Sequence, residues 1–329
     1  MRSALRRVLS LTLVIIALIV GFVAWSVYGD RRFPEAQTSV DIAPGTSVED
    51  IVEQLKTASV VSSPRLLLWY LRANRMTSAI QAAEYDFTPH ETIVEVATTL
   101  KNGGHPSAAW ITVPEGFTAA QIADRLARHG LVQVQYFLFA VHDGSLSLDG
   151  ARTRGLEGYL FPDTYLVPRH ASAVSVAGLM TKQFVRELPL HHAALAHRLG
   201  FSVPQIVTIA SMVEREAKVD AERALIAGVI YNRLHRGMPL EIDATIEYAL
   251  PHHKTQLSYG DLALNSPYNT YTHTGLPPTP IANPGRKSLL AAFHPATVDY
   301  LYYVYRGHGR HQFSRTLEEQ QAAERKYLH

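Results

Sequence analysis

The chain has 329 residues, room for about two domains at the usual ~100–200 residues each. Hydrophobic residues make up 47% and charged residues 18%, which supports a sizeable core and argues against global disorder. A net charge of +2, from 31 basic and 29 acidic residues, gives no footing for nucleic acid as a partner, and the absence of cysteine excludes disulfides, thiolate metal sites and a cysteine nucleophile.

Val8 to Tyr28 is an uncharged run of 21 residues. As a helix it spans about 30 Å, the thickness of a hydrocarbon core, and it has no polar stripe. A cleavable signal peptide has an apolar region of only about 7–15 residues and a small-x-small site. This run is longer and ends in the bulky Trp25-Ser26-Val27-Tyr28. It is read as an uncleaved signal anchor covering residues 1–30. Arg2, Arg6 and Arg7 precede the span and only Arg31 and Arg32 follow it, which places the N-terminus in the cytoplasm. The bulk of the chain is then extracytoplasmic, on the outer face of the inner (cytoplasmic) membrane.

Residues 31–37 read as a polar linker. A strand signal, Val40-Asp41-Ile42, follows, with a turn at Pro44-Gly45 and Ser47 as a helix N-cap. Val48, Ile51, Val52 and Leu55 then mark one face of an amphipathic helix. The design recurs 71 residues later. Ile42, Gly45, Ser47, Ile51, Leu55, Val61 and Leu67 align without a gap to Val113, Gly116, Thr118, Ile122, Leu126, Val132 and Leu138. A shorter echo runs from Pro89 to Leu100 and stops at Asn102-Gly103-Gly104. The expected layout is a small α/β module over 38–105 and a larger mixed α+β domain over 106–329, with 106–150 as a second small strand–helix lobe. Gly45-Thr46-Ser47 with Ile51 resembles a LysM module, a small glycan-gripping fold. The same residues also serve simply to cap a helix in any α/β module.

Leu156 to Tyr165 (LEGYLFPDTY) has Pro162 against a continuous helix, and its aromatics favour an extended, partly buried segment carrying Glu157 and Asp163. Ser172 to Leu188 reads as a helix. Ser202, Pro204 and Gln205 form a capping-box start, so the next helix begins near 203 and runs through IVTIASMVEREA, Ile206 to Ala217. On a helical wheel its apolar centre passes through Val203, Ile206, Ala210, Val213 and Ala217, with Glu214 and Glu216 flanking it at similar angles on opposite sides. Periodicity does not choose between the two carboxylates. A helix over Leu225–Leu234 follows, and from 258 to 285 the chain is a loop rich in proline and glycine, with Tyr268, Asn269, Tyr271 and Asn283 offering rings and amides suited to sugars. Ala291–Phe293 reads as helix, Leu301–Tyr305 as a strand, and a last helix starts near Leu317.

The paired histidines (His191-His192, His252-His253, His308 and His311) lack metal-ligand spacing. Neither GxSxG nor SxxK occurs, and there is no phosphate or dinucleotide loop. Carboxylate chemistry remains. A glycosidase of the usual kind needs two carboxyl groups, whereas a lytic transglycosylase needs one. In the latter, one glutamate protonates the glycosidic oxygen, then takes the proton from the sugar's own C6 hydroxyl as a 1,6-anhydro ring closes.

LEGYLFPDTY, IASMVEREA, VIYNRLHRGMPLEIDATIEYAL, SPYNTYTHTGLPPTPIANPG and HPATVDYLYYV, in that order, resemble the YceG-like (MltG) family of membrane-anchored endolytic murein transglycosylases. The resemblance covers nearly the whole chain. It implies that Glu214 is the catalytic acid/base and that Glu157, Asp243, Asn269 and Tyr271 line the glycan cleft. It implies no metal or organic cofactor, peptidoglycan strands as substrate, and cell-wall synthases as partners. Glu216 is then expected to be a solvated or ion-paired neighbour. Ala244, Thr279 and Gln320 depart from the family's usual proline, glycine and histidine at those places.

Overall fold

The computed structural model describes residues 2–148, 151–252, 254 and 257–328. The chain separates into two compact units, Met1–Ala108 and Ala109–His329, and mixes helices with short two-stranded sheets.

The first unit opens with helix α1 (Arg2–Tyr28). Its segment Ser10–Tyr28 has a mean hydropathy of 2.5 and is long and apolar enough to cross a membrane. The last turns do something else: Val23 and Val27 pack into the unit's core, and Tyr28 meets Tyr70 edge-on at 6.5 Å. Strand β1 (Thr38–Ile42) pairs antiparallel with β2 (Ala83–Phe87), Val40 opposite Tyr85. Alternation sends Val40 and Ile42 inward. Between the strands lie α2 (Val48–Thr57), capped by Ser47, and α3 (Pro64–Ala73), with proline at its first position where no donor is lost. Helix α4 (Ile93–Asn102) starts from a capping box of Thr92 and Glu95. Segment 31–37 is tied down rather than free: Arg31 pairs with Glu95 at 3.0 Å and donates to the His90 carbonyl.

The second unit repeats the opening pattern with β3 (Ala108–Thr112), α5 (Ala119–Arg128) capped by Thr118, and α6 (Val134–Asp143). Gly45 and Gly116 both take left-handed φ, so the two copies share their turn as well as their helix starts. The copies differ in their closure. In the second, a two-residue ladder of β4 (Ser147–Leu148) and β5 (Ala151–Arg152) follows, and β3 pairs with β6 (Thr164–Pro168). The lobe's core extends past residue 150 to Leu156, Leu160 and Val167, then to Val176 and Met180 of α7 (Ala173–Glu187).

The remaining elements surround α9 (Val203–Glu216), whose residues from Ile206 to Val213 are all buried. A helix buried all round is central to its fold. It packs against α8 (His192–Leu199), α10 (Arg223–His235), α11 (Asp243–Ala249) and α13 (Arg286–Phe293), with Ile226, Ile230, Leu289 and Ala292 as partners. Apart from a single turn, α12 (Tyr259–Leu262), the 258–285 segment is irregular as expected. A hairpin, β7 (Tyr302–Gly307) and β8 (Arg310–Ser314), and α14 (Leu317–Tyr327) end the chain.

One expected extended segment is corrected. Leu156 to Asp163 is a buried irregular loop, and the strand begins only at Thr164. Its backbone bonds go elsewhere: Leu160 N–H donates to the Asn283 side-chain oxygen at 2.8 Å, and the Asp163 carbonyl accepts from Val113 at 2.8 Å. Gly158 sits in this loop at φ +89, where a Cβ would overlap the Pro280 ring. Gly158→Ala combines left-handed strain with overpacking and is expected to lower unfolding free energy by upward of about 2 kcal/mol. Gly178→Ala, in a helix interior with open space around it, should instead raise stability by about 0.5–1 kcal/mol. Urea unfolding of both variants in detergent, with tryptophan fluorescence as the signal, checks the pair; equal effects would contradict this reading of the loop contact.

Candidate active site

The C-terminal turn of α9 sends three consecutive side chains in three directions, because successive helix positions turn by about 100°. Each meets a different group.

Glu214 points at the start of α13. One carboxylate oxygen accepts the Gly285 N–H at 2.9 Å and the other pairs with Arg223 at 3.2 Å. The Glu214 side chain is only 6% exposed. Arg223, at the first position of α10, is itself held by Asp220 at 3.2 Å and by Ser288 Oγ, and Lys287 bonds Asp220 at 2.5 Å. Glu115 completes the group. Its carboxyl lies over the Cα of Gly285, where any Cβ would overlap it. Partial burial and then the charge of Glu214 push the Glu115 carboxyl up, against the pull of Arg223 and Lys287. Glu214, at the edge of the apolar centre of its helix, is therefore salt-bridged.

Arg215 turns to α11 and pairs with Glu247 at 2.9 Å. Both line a cleft of about 1280 Å³, together with Glu157, Tyr248, Tyr268 and Thr279. Glu157 is half-buried on its wall. It accepts from the Ala119 N–H at 3.0 Å, at the first residue of α5, from Asn283 Nδ2 at 2.9 Å and from Tyr248 at 3.3 Å. Desolvation outweighs these donors and raises its carboxyl to about 7. Neither Glu214 nor Glu216 is among the residues that line this cleft.

Glu216 faces the β7–β8 hairpin. It is half-buried and accepts from Tyr303 Oη at 3.2 Å. Burial raises its carboxyl to about 7; the Tyr303 bond opposes this, and the charge of Asp243 adds to it. The expected solvated or ion-paired neighbour is thus a part-buried acid bonded to a phenol. Asp243, exposed at the start of α11, accepts from Tyr271 Oη at 2.5 Å. Tyr271 also feels the charge of Glu216, so Asp243, Tyr271, Glu216 and Tyr303 form one electrostatic cluster. Gln320, from α14, donates to the Tyr303 carbonyl at 3.2 Å.

Asn269 stands apart from the expectation. It is fully buried, its amide donating to the Leu262 and Leu264 carbonyls and its oxygen accepting from Tyr271 and Thr272 N–H. All its capacity is used inside the loop, so it shapes the loop instead of lining a cleft. Arg223, Glu115, Tyr248 and Tyr303 were not singled out in the sequence. Each reaches the site from another element, with no periodic relation to α9. Among the described residues there is no group of three or more His, Asp or Glu side chains that could hold a metal; His253 lies outside those residues.

The sequence model of the YceG-like family matches residues 40–326. The chain belongs to that family. It is 34% identical to an endolytic murein transglycosylase of Bacillus subtilis, over 88% of this chain and 84% of that protein. It is 30% identical to an endolytic murein transglycosylase of Streptococcus pneumoniae, over 81% of this chain and 54% of that longer protein. A YceG-like protein of Listeria monocytogenes, solved at 2.6 Å, superposes with a TM-score of 0.59 at 31% identity, covering 88% of this chain and 99% of that one.

The two carboxyls near 7 give the site a stability signature. A glutamate raised from 4.5 to about 7 keeps its proton in the folded chain when the unfolded chain has released it. Its contribution is full below the unfolded value and is lost as pH rises through about 7. Glu216→Gln keeps an oxygen for Tyr303 and removes this component. Thermal melts of wild type and variant should diverge in the variant's favour between about pH 5 and about pH 8, and parallel curves would show that Glu216 is not held protonated.

Proposed function

We propose that this chain is an endolytic peptidoglycan lytic transglycosylase. It cleaves the β-1,4 bond between N-acetylmuramic acid and N-acetylglucosamine within nascent strands and leaves 1,6-anhydro ends. The observation that carries the reading is the family membership, together with a relative of the same name matched over most of both chains.

Glu214 is the acid/base. It protonates the glycosidic oxygen, and as carboxylate it then accepts the proton of the C6 hydroxyl that attacks the anomeric carbon. The Gly285 N–H and Arg223 fix the orientation of its two oxygens and stabilise the carboxylate that exists between the two proton transfers. Exposed Glu115 marks the solvent side of this group. Glu157 and Tyr248 on the large cleft, and Asp243 with Tyr271 beside the hairpin, bind sugar hydroxyls, while Asn269 holds the loop that presents Tyr271. No metal or organic cofactor takes part.

One observation favours a second reading: Glu216, with its carboxyl at about 7 beside Tyr303, is poised as a general acid near neutrality. The matched pair Glu214→Gln and Glu216→Gln decides. On purified sacculi, Glu214→Gln should lower release of anhydro-ended fragments by at least about a hundredfold, the usual worth of general acid–base catalysis, while Glu216→Gln keeps most activity. The reverse order would move the acid to Glu216. Products heavier by one water would make the enzyme a muramidase, and unimpaired sacculus binding without soluble products would make it a scaffold.

The apolar helix Ser10–Tyr28 is the single-pass anchor, with the N-terminus cytoplasmic and the rest extracytoplasmic, so cutting is confined to strands near the inner membrane and their synthases. The 38–105 module is the LysM-like part. Helix α1 docks its last turns on that module's core, which fixes the module against the end of the span.

A further inference from the structure

A second hollow, about 470 Å³, lies between α7, α8 and α13. Its floor is apolar, formed by the buried Leu188 and Leu195, with Leu290 exposed at its edge. Its rim is basic: Arg186, Arg198, Arg286, His191 and His294, with Glu187 as the one acid. Glu187 is engaged with Arg286 at 3.7 Å. Arg186 and Arg198 have no ion-pair partner among the described residues and are exposed. Guanidinium groups gathered around a concave apolar floor repel one another, and an anion with apolar stretches relieves that repulsion.

Two further observations point to a ligand. The wall carries Leu190, an apolar side chain left 83% exposed next to His191 at the hollow's edge. The hollow is also geared to the acid/base. Gly285 bonds Glu214, Arg286 is the next residue, and Leu290 and His294 follow about 6 and 12 Å along the helix direction.

We propose that this hollow binds the free carboxylates of the stem peptide that branches from a peptidoglycan strand. The inference rests on the reading of Glu214 as the acid/base of a glycan-cleaving enzyme. Arg286 follows the residue whose N–H bonds Glu214, so a strand held there lies beside the helix turn that carries Arg286, and its peptide arms combine carboxylates with small apolar side chains, matching rim and floor. Arg186 and Arg198 take the carboxylates, and Leu190 and Leu290 take the methyl groups.

The test uses the full chain carrying Glu214→Gln in detergent micelles, titrated calorimetrically with a free stem pentapeptide and with the same peptide amidated at every carboxyl. The amidated peptide should bind at least about tenfold more weakly, and the Arg186→Ala/Arg198→Ala variant should lose about tenfold for the native peptide, the worth of a charge-assisted hydrogen bond. Equal affinity for both peptides, unchanged affinity in the variant, or binding of phosphatidylglycerol vesicles in place of peptide overturns the proposal. Should the double variant fail to fold, protection of Arg186 and Arg198 from phenylglyoxal by the peptide, mapped by mass spectrometry, reads the same contact in the unmutated residues, and no protection overturns it. With Glu214 restored, the double variant should lose the preference for intact sacculi over amidase-stripped glycan while still cutting the latter. If the enzyme reading itself fails, neither glycan gives anhydro products, but the peptide titration still reports on the hollow.

Discussion

The ion pair between Glu214 and Arg223 is the constraint on which the site depends. With side chains 6% and 11% exposed, both charges have left water, and removing one partner of such a pair typically costs about 3–5 kcal/mol because the other is stranded. The cost of burying them is offset by bonds from three directions. Gly285 N–H satisfies the second oxygen of Glu214, and Asp220 and Ser288 satisfy further donors of Arg223. Those bonds join the end of α9, the start of α10 and the first turn of α13. The pair therefore sets where these three helices meet.

A similar economy holds on the cleft wall. Glu157 is placed by a loop that has no ladder partners of its own, and the chain solves this with Asn283. The Asn283 oxygen takes the Leu160 N–H, while its amide nitrogen bonds both Glu157 and the Phe117 carbonyl. One buried amide therefore fixes the 156–163 loop, the start of α5 and the end of the proline-rich loop together. A fully satisfied polar group inside a core specifies one arrangement, because any other leaves an unpaired donor or acceptor.

Much of this was legible in the sequence where the signal is local. Ser47, Thr118 and Ser202 cap helices where the capping pattern placed them, and the 71-residue echo reappears as two strand–turn–helix–helix units. The buried face of α9 followed from its apolar spacing. What was not legible is contributed across elements. Nothing near Ser211 in the chain says that its hydroxyl accepts the Ile281 N–H, nor does Asn269 announce that its amide will be consumed by Leu262 and Leu264. The second copy of the repeat also borrows β6 and α7 to close its core, a choice that the alignment of the two copies does not contain.

The two glutamates at the end of α9 show why the wheel left them tied. They lie two positions apart, at mirror angles about the apolar centre, so intrinsic helix geometry treats them alike. Their chemistry is made by what the rest of the chain brings to each side. Glu214 receives a guanidinium and a backbone N–H, donors that hold its two oxygens in one orientation. Glu216 is set in a buried site with the field of Asp243 beside it, which favours a neutral acid against the pull of the Tyr303 bond. Arg215 between them faces the large cleft. A carboxylate that must exchange a proton twice in one cycle needs a partner that stabilises its charged form without taking the proton. Arginine, which stays protonated, meets that requirement, and a tyrosine that already donates its only proton to Glu216 does not. If Glu214 is the acid/base as proposed, Arg223 and Gly285 are what orient its two oxygens, while Glu216 is tied to Tyr303 of the hairpin.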